Sequence, residues 1–256
     1  MYSRYVALGD SSTEGLDDPD GADGWRGWAD RLAEHVARTS PGLQYANLAV
    51  RGRLVRQVRD EQLDRALELA PDLATVFAGV NDLLRPSFDL DVVAGDLEEM
   101  LGALTGAGAT VLAITVPDPG RVLPLARPLR GRMAAYNARV REAAARTGAR
   151  VADVGGHAVG SDPRLWSVDR LHANSLGHER IGLALAHALG LPGATDRWAD
   201  PLPTAVRRPP HEVLRAEVAW TRTHFAPWLG RRLRGRSSGD ALVPKRPEYA
   251  PVLPRG

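Results

Sequence analysis

A serine, an aspartate and a histidine in this sequence have the types and the spacing that acyl transfer requires. Ser11 lies in the segment GDSSTEG, directly after a short apolar run, where the chain is expected to turn from a strand into a helix. At such a turn the hydroxyl is exposed, and nearby backbone N–H groups can stabilise an oxyanion. Asp169 and His172 are three residues apart on a predicted loop. The carboxylate can therefore orient the imidazole and stabilise it when it takes up a proton.

Two further residues could stabilise negative charge on a substrate oxygen. Gly52 follows the second apolar run, and a glycine there allows an acyl oxygen to approach its N–H closely. Asn81 follows the third run in the segment GVND, and its side-chain amide can donate a hydrogen bond. Taken alone, each of these features has a purely structural explanation, such as a capped turn or a loop glycine. Their common position relative to the predicted strands favours a shared function.

The elements that must position these residues alternate between apolar runs and amphipathic stretches. The sequence predicts five strands, at residues 5–8, 45–50, 73–79, 110–116 and 150–154. Between and after them it predicts five helices, at residues 25–38, 54–69, 92–104, 132–146 and 175–189. Strands that are apolar throughout and separated by helices indicate a parallel sheet covered on both faces. In such sheets ligands bind beyond the carboxyl ends of the strands, which is where Ser11, Gly52 and Asn81 fall.

These segments together resemble the sequence blocks of the SGNH (GDSL-type) hydrolases over about residues 5–189, roughly three-quarters of the chain. One position differs from the GDSL form, because Ser12 stands where that form has leucine. The resemblance implies that Ser11 is the nucleophile, His172 the base and Asp169 the group that orients it. It also implies an oxyanion hole formed by the Ser11 N–H, the Gly52 N–H and the Asn81 side chain. The fold it implies is a flavodoxin-like, three-layer α/β/α sandwich with a five-stranded parallel sheet of order 2-1-3-4-5.

The activity implied by this resemblance is hydrolysis of carboxylic esters through an acyl-enzyme on Ser11, with short acyl or small-molecule esters as the expected substrates. A lipase, a thioesterase or a carbohydrate deacetylase of the same family is an alternative. A nucleotide-binding module is disfavoured, because no Gly-x-Gly-x-x-Gly or Walker segment occupies the first turn. An ordinary α/β-hydrolase is disfavoured by the lack of a Gly-x-Ser-x-Gly segment. A metal-dependent hydrolase could use Asp10, Asp169, His172 and His178, but the six-residue separation of the two histidines suits adjacent ligands poorly.

Composition divides the 256 residues into two regions, which we predict to be a hydrolase domain at 1–190 and a Pro/Arg-rich extension at 191–256. From Asp196 onward there are 12 Lys and Arg against 6 Asp and Glu, whereas the preceding part is mildly acidic. The sequence contains no cysteine, which excludes disulfides and thiolate metal sites. We expect no cofactor, no metal, no nucleic-acid partner and a cytoplasmic location, and the sequence leaves the oligomeric state open.

Within the extension, helical spacing predicts a helix at residues 211–225 that Pro227 should interrupt, with Leu214, Val218 and Phe225 on one side and Trp220 nearby. We expect this helix to pack its aromatic residues on the core and to leave its arginines in water; contact with a membrane or a nucleic acid is the alternative. A basic cluster follows, and residues 237–256 are expected to be irregular; the cluster comprises Arg231, Arg232, Arg234 and Arg236. This extension could also border the mouth of the site. The loops predicted to select the substrate are residues 17–24, 83–90 and 117–128. The first of these is acidic, which would disfavour anionic substrates if it borders the pocket.

Overall fold

The computed structural model describes residues 1–21, 24–204, 209–227, 239 and 241–253. Its strands are β1 (Arg4–Gly9), β2 (Pro19–Asp20), β3 (Gly24–Trp25), β4 (Gln44–Asn47), β5 (Leu73–Phe77), β6 (Thr110–Ile114), β7 (Arg150–Ala152) and β8 (Arg246–Pro251). Its α-helices are α1 (Ser11–Glu14), α2 (Gly27–Ala37), α3 (Val55–Glu68), α4 (Val80–Leu83), α5 (Leu90–Gly106), α6 (Arg130–Thr147), α7 (Ser175–Leu189) and α8 (Pro210–Trp220).

The central sheet contains the five predicted strands in the predicted order. Its order is β7-β6-β5-β1-β4-β8, and every pair from β7 to β4 is parallel. Counting only the predicted strands, this is the order 2-1-3-4-5. Residues on both faces of β1 and β5 are buried, because helices cover the sheet from both sides. The three-layer α/β/α fold is therefore confirmed.

The sixth strand corrects the expectation that residues 237–256 are irregular. β8 pairs antiparallel with β4, with Pro251 opposite Gln44 and Arg246 opposite Asn47. The four prolines of residues 237–256 predict an irregular chain, but an edge strand tolerates proline because one side of it forms no ladder. Side chains also attach the strand: Tyr249 donates a hydrogen bond to the Leu69 carbonyl at 3.1 Å. The basic cluster before it, at residues 231–236, lies outside the described residues.

The helices pack on the sheet through the apolar faces that the sequence predicts. α2 buries Trp28, Leu32 and Val36, and it packs against α7. α5 packs between α3 and α6. Within the described residues, no helix has both the length and the apolar character to cross a membrane.

The loop after α1 also differs from the prediction. The sequence predicts a variable loop followed by a helix from residue 25, whereas β2 and β3 form a small antiparallel hairpin and α2 begins at Gly27. The Asp18 carboxylate fixes the end of this hairpin, because it accepts hydrogen bonds from the Gly27 N–H at 3.1 Å and the Arg31 Nε at 2.9 Å. Of the acidic residues in this loop that the structure describes, only Asp17 lines the pocket described below.

Candidate active site

Ser11 lies where the sequence places it, as the first residue of α1 directly beyond β1. The turn is fixed from both sides. The Gln62 side chain accepts a hydrogen bond from the Gly9 N–H and donates one to the Gly9 carbonyl, each at 2.9 Å. The Asp10 carboxylate caps α1 by accepting a hydrogen bond from the Ser12 N–H at 3.2 Å. These buried contacts hold the Ser11 hydroxyl at the carboxyl end of the sheet.

Asp169 and His172 occupy an irregular segment just before α7, as predicted. Asn174 caps α7 by accepting a hydrogen bond from the Gly177 N–H at 3.0 Å, and its amide donates to the Arg164 carbonyl at 2.8 Å. The Asp169 Oδ1 accepts hydrogen bonds from the backbone N–H groups of Leu171 and His172, at 2.9 and 3.0 Å. The Asp169 carboxylate therefore fixes the backbone of the loop that carries it.

The three side chains form one hydrogen-bonded chain although Ser11 and His172 are 161 positions apart. The Ser11 Oγ lies 2.8 Å from His172 Nε2, and His172 Nδ1 lies 2.6 Å from Asp169 Oδ2. With a neutral imidazole, Nδ1 donates to the carboxylate and Nε2 accepts from the hydroxyl. This is the tautomer that can remove the serine proton.

The carboxylates around His172 stabilise the protonated form of its imidazole. Burial acts to raise the pKa of Asp169, but the hydrogen bond and charge of His172 outweigh it and lower that pKa to about 2. Burial acts to lower the pKa of His172, but the Asp169 hydrogen bond and the charges of Asp169, Asp17 and Asp10 outweigh it and raise that pKa above its ordinary value. Asp169 is thus ionised across the physiological pH range. Its negative charge favours the protonated form of His172.

Ser11 and Gly52 both line the pocket, and each carries a backbone N–H group. Gly52 has a positive φ of 78°, which a residue with a side chain adopts only with strain, so the glycine prediction is explained by backbone conformation. The preceding Arg51 is fixed by Glu14, whose carboxylate accepts a hydrogen bond from the Arg51 N–H at 3.0 Å. Among the described residues neither the Ser11 N–H nor the Gly52 N–H has a hydrogen-bond partner. Both donors therefore remain available to a ligand oxygen.

Asn81 is held differently from the simple donor that the sequence suggests. It lies in α4, which begins after Gly79, a residue with φ of 105° packed against the Tyr136 ring. Its amide nitrogen donates hydrogen bonds to the Asp10 Oδ2 at 3.0 Å and to the Arg53 carbonyl at 3.1 Å. To serve an oxyanion, the amide would have to share one of these protons.

Asp10, the partner of Asn81, is itself unusual. It is 2% exposed, and burial raises its pKa to about 7, against the opposing effects of the Ser12 N–H, the His172 charge and the Asn81 hydrogen bond. A carboxyl group with this pKa changes its charge near neutral pH. When Asp10 gains or loses its negative charge, the hydrogen bond that it accepts from the Asn81 amide therefore strengthens or weakens.

A pocket with a volume of about 380 Å³ opens beside Ser11 and His172. Its wall is largely apolar, including Phe77, Ile114, Val116, Val154, Trp166 and Trp198. All three loops predicted to select the substrate contribute to it, through Asp17, Leu84 and Val122 among others. The wall suits an apolar group attached to the carbon that Ser11 would attack.

The alternative metal set predicted from sequence does not assemble. Both ring nitrogens of His178 are engaged: Nδ1 accepts a hydrogen bond from the Trp28 N–H at 3.1 Å, and Nε2 donates to the Leu16 carbonyl at 2.9 Å. Among the described residues, the only three metal-ligating groups that converge are Asp17, Asp169 and His172, within 4.8 Å of one another. His172 Nδ1 is already hydrogen-bonded to Asp169, so hydrogen bonds are enough to explain why these three groups lie close together.

Sequence reasoning missed Ser167 and Trp198, which the fold brings to the site, and it missed the contact that Asp17 makes there. Asp17 and Ser167 lie beside His172 and Asp169, and Trp198 comes from the predicted extension. Trp198 is 6% exposed, and the Arg180 side chain holds its segment by donating to the Trp198 carbonyl at 2.8 Å. The one available signal was the acidity of the first loop, which did not identify a partner for Asp17.

This chain matches one protein family by sequence and several solved structures by fold. A profile of the GDSL-like lipase/acylhydrolase family matches residues 7–180. A search of curated protein sequences finds no match.

Several solved structures share the fold. Axe2, an acetylxylan esterase from Geobacillus stearothermophilus, is 17% identical, with a TM-score of 0.63 over 76% of this chain and 97% of its own. LAE5, an alpha/beta hydrolase enzyme from the metagenome of Lake Arreo, Spain, is 26% identical, with a TM-score of 0.57 over 74% and 95%. The psychrotrophic esterase EstA from Pseudoalteromonas sp. is 18% identical, with a TM-score of 0.58 over 73% and 97%. The chain thus spans nearly the whole of each of these structures.

Proposed function

Because the chain belongs to the GDSL-like lipase/acylhydrolase family, we propose that it is a serine esterase that hydrolyses carboxylic esters through an acyl-enzyme on Ser11. The observation that carries the proposal is the 2.8 Å contact between Ser11 Oγ and His172 Nε2, with His172 Nδ1 bound to Asp169 at 2.6 Å. A serine activated in this way is a nucleophile for carbonyl carbon.

The reaction proceeds in two halves. Ser11 Oγ attacks the ester carbonyl while His172 Nε2 takes the hydroxyl proton, and the imidazolium is stabilised by Asp169. His172 then gives this proton to the leaving alcohol as the carbon–oxygen bond breaks, which leaves the acyl group on Ser11. Water attacks the acyl-enzyme with His172 again acting as base, and the acid is released with Ser11 restored.

The oxyanion of each tetrahedral intermediate needs donors fixed in place before reaction. The N–H groups of Ser11 and Gly52 meet this requirement, because both border the pocket and neither has a partner among the residues the structure describes. Asn81 is the third proposed donor, and it reaches the oxyanion by sharing a proton now directed at Asp10 or Arg53.

The pocket supports short, apolar acyl groups as substrates. Its wall beside the serine is built mainly of apolar side chains, and burying each methylene of an acyl chain against such a wall stabilises the complex by about 0.8 kcal/mol. Asp17 lines this wall together with Asp10 and Asp169, so a carboxylate on the acyl chain would be repelled. Neutral esters with short acyl chains are therefore the proposed substrate class.

The test is a series of p-nitrophenyl esters of increasing acyl length, assayed with the wild type and with Ser11→Ala. We expect the wild type to hydrolyse the short members and Ser11→Ala to lose at least about 10³-fold in kcat, since no other group in this chain of contacts can form the ester. A fluorophosphonate should label the wild type on the peptide that contains Ser11.

Ser3→Ala is the matched control, because Ser3 is exposed just before β1, at the opposite end of that strand from the site. It should keep wild-type rates and labelling. Retained hydrolysis by Ser11→Ala, or labelling of another residue, would refute Ser11 as the nucleophile.

A further inference from the structure

A second carboxylate faces the same nitrogen of His172 that Asp169 binds. Asp17 Oδ2 lies 4.0 Å from His172 Nδ1, whereas Asp169 Oδ2 lies 2.6 Å from it. Asp17 comes from the loop after α1, and its side chain is about one-third exposed. Its backbone has a positive φ of 66°, a conformation uncommon outside glycine but tolerated by Asp and Asn. The loop therefore holds this carboxylate at the site in a strained conformation.

Ser167 joins the two carboxylates. Its hydroxyl contacts Asp17 Oδ2 and also Asp169 Oδ1, the latter at 2.9 Å, and it accepts a hydrogen bond from the Asp169 N–H at 3.3 Å. A hydroxyl has one proton, so it can donate to only one of these oxygens at a time. Asp169 Oδ1 already accepts two backbone N–H groups, from Leu171 and His172. We therefore assign the Ser167 hydroxyl as a donor to Asp17 Oδ2.

We infer that Asp17 is a positioning residue for the reaction, a second carboxylate that stabilises the His172 imidazolium from 4.0 Å and is held there by Ser167. This inference rests on the proposed esterase function, in which His172 becomes positively charged. At about 4 Å two opposite charges attract appreciably even at the effective dielectric constant of a protein surface. Asp17 would also bind Nδ1 directly when Asp169 is absent, after a movement of little more than about 1 Å.

Two other titratable groups lie near His172, but neither can stabilise its imidazolium in place of Asp17. Asp10, at the end of β1, is negative only above its raised pKa of about 7. His178, on α7, is buried, and burial lowers its pKa to about 4, so it is neutral at the pH of assay. Asp17, whose Oδ2 lies 4.0 Å from the nitrogen that Asp169 binds, is therefore the carboxylate placed to supplement Asp169.

Arginines also line the pocket, but their charges are committed elsewhere. Arg51 and Arg170 are each paired with a glutamate, Glu14 and Glu217 respectively. Arg180 donates hydrogen bonds to backbone carbonyls of the segment that carries Trp198. None of these pairings involves Asp17, so its carboxylate stays directed at His172 and Ser167.

The direct test is the titration of the His172 imidazole by NMR in the wild type and in Asp17→Asn, with the resonance assigned from His172→Gln. The asparagine would keep the shape and the positive φ while removing only the charge. We expect the pKa of His172 to fall by about half a unit to one unit in Asp17→Asn. The acid limb of the pH profile of kcat/KM should move to lower pH by the same amount, with a several-fold lower kcat at about pH 8.

Asp64→Asn is the matched control, because Asp64 is exposed on α3 and its removal changes the net charge equally. It should leave both the titration and the profile unchanged. If Asp17→Asn does not fold, Asp17→Gly removes the same charge and accepts the positive φ freely. An unchanged His172 titration in the folded variant overturns the inference.

A double-mutant cycle tests the direct role. Asp17→Asn should cost only a few-fold in kcat in the wild type but at least about tenfold in the Asp169→Ala background, where Asp17 becomes the remaining carboxylate. Equal costs in the two backgrounds contradict the inference. Failure here is distinct from failure of the esterase proposal, which is decided by Ser11→Ala, and the NMR titration does not depend on turnover.

Discussion

At the scale of single residues, Asn81 and Asp10 form the least expected pair in the site. The Asn81 amide donates to Asp10 Oδ2 at 3.0 Å, while Asp10 also caps the helix that begins with Ser11. One carboxyl group therefore contacts both the element that carries the proposed nucleophile and the proposed oxyanion donor. Since burial raises the pKa of Asp10 to about 7, the strength of both contacts changes near neutral pH.

Replacement of Asn81 by alanine separates its two roles. If the amide stabilises the oxyanion, Asn81→Ala should lower kcat by roughly 10²–10³ with little change in KM, because the donor acts mainly in the transition state. Steady-state kinetics on a short p-nitrophenyl ester measure this. A loss below about tenfold would mean that Asn81 serves to hold Asp10 and that the backbone N–H groups suffice.

Sequence patterns reached some of these residues but not others, for a physical reason. Ser11, Gly52 and Asn81 each follow a predicted strand, and Asp169 and His172 come just before the last predicted helix, so the placement of these five residues follows from topology. Asp17 and Ser167 meet across 150 positions through two irregular loops, whose path depends on side-chain contacts rather than on periodicity. No local pattern in the sequence specifies such a meeting.

At the scale of elements, α8 contacts the loop that carries Asp169 and His172. Arg170, between them, forms two hydrogen bonds of 2.7 Å with Glu217 and lies 4.4 Å above the Trp220 ring. Arg170 has a positive φ of 61°, which costs about 1–2 kcal/mol in a residue with a side chain. α8 therefore stabilises the strained residue of this loop through contacts to its side chain.

Weakening the contact between Arg170 and α8 should affect catalysis more than stability. Glu217→Gln removes one charge of a partly exposed pair, so the free energy of unfolding should change by less than about 1 kcal/mol. Because the loop then relaxes, kcat/KM should fall by about two- to fivefold. Thermal unfolding and ester hydrolysis measure the two effects.

Glu212→Gln is the matched control, since Glu212 is exposed on the same helix. It should leave both quantities unchanged. Equal kcat/KM in Glu217→Gln and the wild type would show that α8 does not position the loop.

The same elements show where sequence prediction of the fold ends. The five parallel strands and the helices between them are amphipathic or apolar in a regular way, so they were predicted to within a few residues. The extension was predicted less well: a helix there was expected and α8 is present, but β8 was missed. An edge strand needs little hydrophobic patterning, because it is held by backbone pairing and by ion pairs such as Arg65 with Glu248. The boundary at residue 190 stays a prediction, since Trp198 and β8 both join the main structure.

At the scale of the whole molecule, stability should depend on pH through His178. Its side chain projects from α7 and is fully buried against α2 and the loop after α1, and burial lowers its pKa from 6.5 to about 4. A group with a depressed folded-state pKa contributes stability above its unfolded pKa, and this contribution is lost as the pH falls from about 6.5 towards 4.

The comparison of wild type with His178→Gln isolates this contribution. The difference in their free energies of unfolding, from urea titrations, should shrink by about 2 kcal/mol between about pH 7.5 and pH 5. His187→Gln, on the exposed side of the same helix, should differ from the wild type by a constant amount. A His178→Gln difference that does not vary with pH would contradict the assignment.

The pairing of β8 with β4 also has a consequence for biosynthesis. About 200 residues separate Gln44 from Pro251, so β4 leaves the ribosome long before the strand that covers its edge. During that interval the backbone groups of this edge can pair with other nascent chains. Among the residues that the structure describes, those that line the pocket end at Trp198, which precedes β8 in synthesis. A newly made chain therefore contains the described wall of its pocket before β8 can close its sheet, and over that interval the open edge of β4 is available to other chains.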